Sequence, residues 1–151
     1  MIINLTTENE TENLAKALAE CAHVGEVILL FGDLGVGKST FARAFIRALT
    51  SENEDVPSPT FTLVQTYTAL RFPLWHFDLY RLESPEEIWE LGLEEISEGV
   101  ALIEWPEKMG HHIPKESLHL TFEYGEKEGE RRLQIEAPLS WHKRIETLTQ
   151  T

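Results

Sequence analysis

The sequence carries one cysteine, Cys21, among 151 residues. No intrachain disulfide can form, so the fold must rest on its core, and a reducing compartment fits best. There is no apolar run of about 18 residues, the length a membrane span needs, and no charged-then-apolar leader after Met1. A soluble, cytoplasmic protein with no membrane contact is therefore expected. Basic residues are scarce, with 13 Lys+Arg against 26 Asp+Glu and a formal net charge of −13. Charge-driven nucleic-acid binding depends on Lys and Arg neutralising phosphates, so this deficit argues against nucleic acid as a direct ligand. The imbalance is sharpest between Glu83 and Glu107, which hold nine glutamates and no Lys or Arg. Internal repeats, low-complexity tracts and long linkers are also missing, and the length suits one domain over 1–151.

What is present alternates between helical and strand patterns. Thr7-x-x-Glu10 reads as a capping box opening a helix, with Leu14, Ala15, Leu18 and Ala22 at helical spacing. Glu26 to Phe31 is an apolar run of the kind a buried parallel strand shows. After a glycine-rich turn, Phe41, Ala44, Phe45, Ala48 and Leu49 recur at helical spacing, and residues 51–59 form a loop by composition. Phe61–Tyr67 and Leu74–Tyr80 read as strands, and Ser84-Pro85-Glu86-Glu87 as a second capping box before a stop at Gly92. Val100–Ile103 is another apolar strand. Ser117–Tyr124 and Arg131–Ala137 suit a hairpin, and Trp141–Leu148 a final amphipathic helix. The sum is one α/β domain.

Gly32-Asp33-Leu34-Gly35-Val36-Gly37-Lys38-Ser39 fits G-x-x-x-x-G-K-[ST], and it stands between a predicted strand and a predicted helix, the context a P-loop requires. Its glycines let the backbone approach a phosphate closely, and the helix N-terminus adds partial positive charge. Lys38 would bridge the β- and γ-phosphates and the Ser39 hydroxyl would ligate Mg²⁺. Such an enzyme also needs a carboxylate at the end of a neighbouring strand. Glu104 closes the apolar run Val100–Ile103 at the strand end where open parallel sheets bind ligands. Asp78 is a second candidate, alternating with His76 and Tyr80 on one strand face. Trp105 stands beside Glu104. Ser58, Thr60 and Thr62 lie in the first long loop after the P-loop helix, where switch hydroxyls are found. No N-K-x-D or D-x-x-G stands later in the chain, which weakens a GTPase reading, and no arginine-rich lid of a small-molecule kinase follows the P-loop. His111, His112 and His119 are poor Mg²⁺ ligands, since that ion prefers oxygen.

Taken in series, Gly32–Thr40 (GDLGVGKST), Ser58–Val64 (SPTFTLV), His76–Leu82 (HFDLYRL), Glu90–Glu95 (ELGLEE) and Leu102–Glu107 (LIEWPE) resemble the TsaE family, the P-loop ATPases of bacterial tRNA threonylcarbamoyladenosine biosynthesis. The resemblance implies a P-loop NTPase core with a mixed, mainly parallel sheet, flanking helices and a late antiparallel hairpin. It implies ATP and Mg²⁺, and hydrolysis that resets a threonylcarbamoyl transferase and its scaffolding paralogue during modification of adenosine 37 in tRNAs reading ANN codons. The tRNA would be held by the partners. Carried over by residue, Lys38, Asp78 and Glu104 serve hydrolysis, and Ser39 and Glu104 serve the metal. Asp33, Leu34, Gly35, Val36, Gly37, Lys38, Ser39 and Thr40 embrace the phosphates, with Thr60 as switch hydroxyl and Trp105 as a nucleotide-side aromatic. The adenine-side contact falls at Thr7 or Thr11, and a late arginine at Arg131 or Arg132. From the residues alone, a small-molecule kinase and a nucleotide-gated binding module with little turnover stay open, as does an acidic face over Glu83–Glu107 that docks on a basic partner.

Overall fold

The computed structural model describes residues 1–149, and the structural statements below concern those. Seven strands form one sheet: β1 (Ile2–Leu5), β2 (Val27–Phe31), β3 (Val64–Thr68), β4 (Pro73–Asp78), β5 (Val100–Glu104), β6 (Leu118–Tyr124) and β7 (Arg131–Glu136). Their order across the sheet is β1-β7-β6-β2-β5-β4-β3. The centre is parallel, with β2 between β5 and β6 and with β4 beside β5. Both margins are antiparallel: β6–β7 is the expected hairpin, β1 adds to its outer side, and β3 folds back on β4.

Three α-helices, α1 (Glu8–Cys21), α2 (Lys38–Leu49) and α3 (Leu139–Thr149), accompany the sheet. Two apolar clusters follow from the strand period of two. Ile28, Leu30, Leu102, Leu120 and Phe122 pack with Leu18, Phe41, Phe45 and Trp141 from the helices. The opposite parity, including Leu29, Phe77 and Ile103, packs with Ile88, Leu93, Ile96 and Met109 from three 3₁₀ segments, Pro85–Leu91, Leu93–Glu98 and Pro106–His112. Central strands covered on both faces are expected to be apolar, and β2 and β5 are so at every position except Glu104, which closes β5.

Several elements depart from the sequence reading. Strand β1 was not expected; it is four residues long and mostly outward, so it carries no strong alternation. Phe61–Leu63 turn instead of extending, because Leu63 N–H bonds back to the Pro59 carbonyl and Leu63 takes φ 68°. Beyond Asp78 the chain bends where Tyr80 N–H donates to Asp78 Oδ1 at 3.1 Å, ending β4 early. His76 and Asp78 are both buried, whereas Tyr80, expected on the same face, lies beyond the strand and is exposed. The Thr7 cap forms as expected, its hydroxyl accepting from Glu10 N–H at 3.1 Å, although Glu10 reaches back to Thr6. The Ser84 capping box does not form: Ser84 Oγ donates to Glu86 Oε2 at 2.8 Å, no side chain caps the segment, and the turns are 3₁₀. Gly92, at φ 90°, separates the first two 3₁₀ segments.

Candidate functional site

The loop between β2 and α2 wraps the N-terminus of α2. Gly37 caps that helix at φ 115°, a conformation glycine adopts without strain, and no side chain takes the first-turn N–H groups. A helix start with free donors and no capping side chain is a ready anion site. Gly32 is also fixed at φ 137°, and a Cβ there would lie 2.7 Å from the Phe122 carbonyl and 2.8 Å from Val36 Cγ1. The loop therefore closes against β6 only because Gly32 lacks a side chain.

In front of the loop opens a cleft of about 630 Å³. Leu34, Gly35, Gly37, Lys38, Ser39 and Thr40 line it from the loop and α2, while Asp78, Glu104 and Trp105 line it from the ends of β4 and β5. Thr60 enters from the long loop, Thr7 and Thr11 from the start of α1, and Arg131 from β7. The side chains of Asp33 and Val36 are not part of its wall; Asp33 is exposed and Val36 is buried beneath the loop. Arg132, on the opposite strand face, does not reach the cleft either. Both Thr7 and Thr11 do.

Register explains why two carboxylates meet here. Asp78 pairs with Glu104 across the parallel β4–β5 ladder, at the C-terminal ends of both strands. Glu104 is 3% exposed and shares a 2.7 Å hydrogen bond between Oε2 and His76 Nε2. With the carboxylate ionised, Nε2 is the donor, and His76 Nδ1 is left buried without a partner. Asp78 accepts from the Thr60 hydroxyl at 3.1 Å, and Thr60 Oγ1 lies 2.7 Å from Ser58 Oγ. Thr62, the third hydroxyl of that loop, turns away to Gln65.

Lys38 stands at the centre. Its ammonium donates to the Gly32 carbonyl and lies 3.8 Å from the centroid of the Trp105 ring. Burial pushes its pKa below the usual lysine range, against the pull of Glu104, Glu107, Asp78 and Asp33. Trp105 has a left-handed backbone, φ 58°, and its ring also meets Tyr80 at 5.0 Å between centroids. A non-glycine residue in that region marks a backbone constraint worth explaining, and here it turns the indole over Lys38.

Residues 5–133 match the family described as "Threonylcarbamoyl adenosine biosynthesis protein TsaE". The chain belongs to the TsaE family. Among relatives carrying the name tRNA threonylcarbamoyladenosine biosynthesis protein TsaE, that of Rickettsia bellii is 51% identical over 111 residues, covering 73% of this chain and 77% of the relative. The TsaE of Nostoc sp. is 43% identical over 139 residues, covering 88% and 83%, and that of Bacillus subtilis 40% over 114, covering 74% and 70%. The crystal structure of Bacillus subtilis YdiB superposes with a TM-score of 0.78 at 29% identity, covering 99% of this chain and 93% of that one. The P-loop NTPase fold expected from the sequence is thus shown, and TsaE membership places the chain in tRNA modification. Among the described residues no helix is long and apolar enough to cross a membrane.

Sequence reasoning brought Lys38, Ser39, Thr60, Asp78, Glu104 and Trp105 to one place. It assigned no role to His76, although the two-residue step to Asp78 put it on the same strand face. It missed Tyr124 altogether, since that residue meets the loop only through a contact 90 positions away. The rings of His111 and His112 lie tilted to one another at 4.0 Å between centroids, and the described residues contain no cluster of three His, Cys, Asp or Glu able to hold a metal.

Proposed function

We propose that this chain binds ATP with Mg²⁺ and hydrolyses it, as the nucleotide-driven subunit of tRNA threonylcarbamoyladenosine biosynthesis. The observation that carries the reading is the convergence of Lys38, Ser39, Thr60, Asp78 and Glu104 on one cleft at the head of a helix without a capping side chain. Mg²⁺ is usually bound by one or two protein oxygens together with substrate phosphates. Ser39 and Glu104 are oxygen donors of the right kind and would hold it. When bound, Mg²⁺ supplies charge compensation to the phosphates.

The chain's own groups divide the remaining work. Loop N–H groups and Lys38 bind and orient the phosphates, Lys38 leaving the Gly32 carbonyl to do so. His76 holds the Glu104 carboxylate in one orientation. Asp78 accepts from Thr60 and so couples the long loop to the strand end, where it is placed to orient a water. Trp105 shields the Lys38 side of the cleft from solvent.

Transition-state charge calls for a further cation. Arg131 spends its donors on the carbonyls of Val36, Gly35 and Glu130, and Arg71 on those of Ala19 and Glu20. Arg81 lies over the Phe61 ring. Slow hydrolysis by the chain alone follows, with acceleration by the transferase and its scaffolding paralogue, which would also hold the tRNA. The test is the ATPase rate titrated against that pair. We expect a rise with the pair and its loss in Lys38→Ala. Equal rates with and without the pair would refute the partner-driven cycle, and full activity in Lys38→Ala would refute the site.

A further inference from the structure

The β6–β7 hairpin ends against the phosphate loop, and its last cross-strand pair is Tyr124 and Arg131. Tyr124 Oη donates to the Leu34 carbonyl at 3.1 Å. Arg131 Nε donates to the Val36 carbonyl at 2.9 Å, and Nη2 reaches the Gly35 carbonyl at 3.5 Å. The two side chains brace one another, the guanidinium carbon lying 4.8 Å from the Tyr124 ring centroid. Three consecutive carbonyls of the loop are thus turned toward the hairpin. No peptide bond is cis, and in a trans peptide the C=O of one residue and the N–H of the next point in opposite directions. Holding the carbonyls of Leu34, Gly35 and Val36 on the hairpin side therefore turns the N–H groups of Gly35, Val36 and Gly37 away from it. The Val36 N–H makes one long bond, 3.4 Å, to the Asp33 carbonyl. The close fit is visible at Gly35, where a Cβ would lie 3.3 Å from Tyr124 Oη.

We infer that Tyr124 and Arg131 are positioning residues that hold the phosphate loop preformed before nucleotide arrives. Arg131 acts through the loop backbone and not as a charge laid on the phosphates. The inference rests on the ATP-binding reading above. Its energetic basis is preorganisation: a loop already ordered in the free protein loses less entropy on binding.

Three variants separate this from a direct phosphate contact. Tyr124→Phe removes one hydroxyl and no charge. Arg131→Lys keeps the charge but loses the planar fork that spans two carbonyls. Arg131→Ala loses both. Titration calorimetry with ATP and Mg²⁺ should show about a threefold to tenfold weaker Kd for Tyr124→Phe, the range one neutral hydrogen bond supports. Arg131→Lys and Arg131→Ala should be weakened alike, with kcat at saturating ATP changed less than Kd in all three. In the nucleotide-free protein, nitrogen-15 relaxation should report lower backbone order at residues 34–37 in each variant. Wild-type affinity in Arg131→Lys alongside weak binding in Arg131→Ala would overturn the brace and make Arg131 a phosphate contact. Unchanged backbone order in Tyr124→Phe and Arg131→Lys would overturn it as well. If the wild type binds no ATP, the ATPase reading fails, and the relaxation measurement still decides the brace.

Discussion

Lys38 is held between two opposed effects. Burial disfavours its charge, while Glu104, Glu107, Asp78 and Asp33 favour it, and burial prevails. The consequence for stability has a definite sign. Where a lysine's folded pKa lies below its unfolded value of about 10.4, the unfolded chain binds more protons between the two, so stability rises with pH across that window. At neutral pH the charged lysine is a cost to folding. Neither carboxylate would be orphaned by its removal, since Glu104 keeps His76 and Asp78 keeps Thr60 and the Tyr80 N–H. Lys38→Met should therefore be more stable than the wild type in urea at pH 7, by an amount that shrinks toward pH 10, while losing ATP-dependent function. A variant that is less stable at pH 7 would show that the carboxylates need this lysine more than burial penalises it. That Lys38, Ser39 and Glu104 would meet at one cleft was legible in the sequence because each position follows from a local pattern: a motif, or a carboxylate ending an apolar run. His76 was half legible, since strand alternation aligned it with Asp78, but its partner sits 28 residues away on another strand.

At the scale of elements, the parallel strands were the easiest to read and the connections the hardest. β2 and β5 are buried on both faces and so are apolar at nearly every position, a signal independent of context. The 3₁₀ segments have helix-like composition, yet Gly92 interrupts them and Ser84 turns its hydroxyl to Glu86, so they never develop into an α-helix. Strand β1 owes its existence to pairing with β7, which no window of neighbouring residues could reveal. Helix α3 packs into the core through Trp141 and Ile145 and is fastened further by Arg144. Arg144 donates to Glu26 at 2.8 and 2.5 Å and to the Cys21 carbonyl at 2.7 Å, and it stacks 3.8 Å from the Trp141 ring centroid. This ties the last helix to the end of α1 and the entry to β2. Arg144→Ala should cost roughly 1.5–3 kcal/mol, the range for hydrogen bonds to charged groups. Denaturant unfolding measures it, and a change below about 0.5 kcal/mol would reduce Arg144 to an ordinary surface residue.

For the whole molecule, the net charge of −13 is the dominant electrostatic fact. Of the nine glutamates from Glu83 to Glu107, only Glu104 is buried; Glu87 is half-buried and the other seven are exposed. One acid of that run thus belongs to the cleft, and the others contribute to the surface field. Like charges repel in the compact state, and salt screens them over about 8–10 Å near physiological ionic strength. Raising NaCl from 20 to 300 mM (values chosen for the experiment, roughly the span over which that screening length shortens) should raise the thermal midpoint of the isolated chain. A midpoint that falls would mean that favourable pairs such as Arg144–Glu26 outweigh the repulsion. The charge that argues against a direct hold on tRNA is compatible with TsaE membership, because a protein can serve RNA modification while a partner binds the RNA.

The cleft draws its walls from Thr7 at one end of the sequence and Arg131 near the other, with the phosphate loop leaning on the hairpin in between. On the ribosome this has a temporal consequence. The loop motif is complete once Ser39 has emerged, but its brace is not made until some ninety residues later, when Tyr124 and Arg131 follow. At about 5–20 residues per second that interval lasts roughly 4–18 seconds. The loop in its braced form is therefore completed only once Arg131 has emerged, long after the motif itself appears.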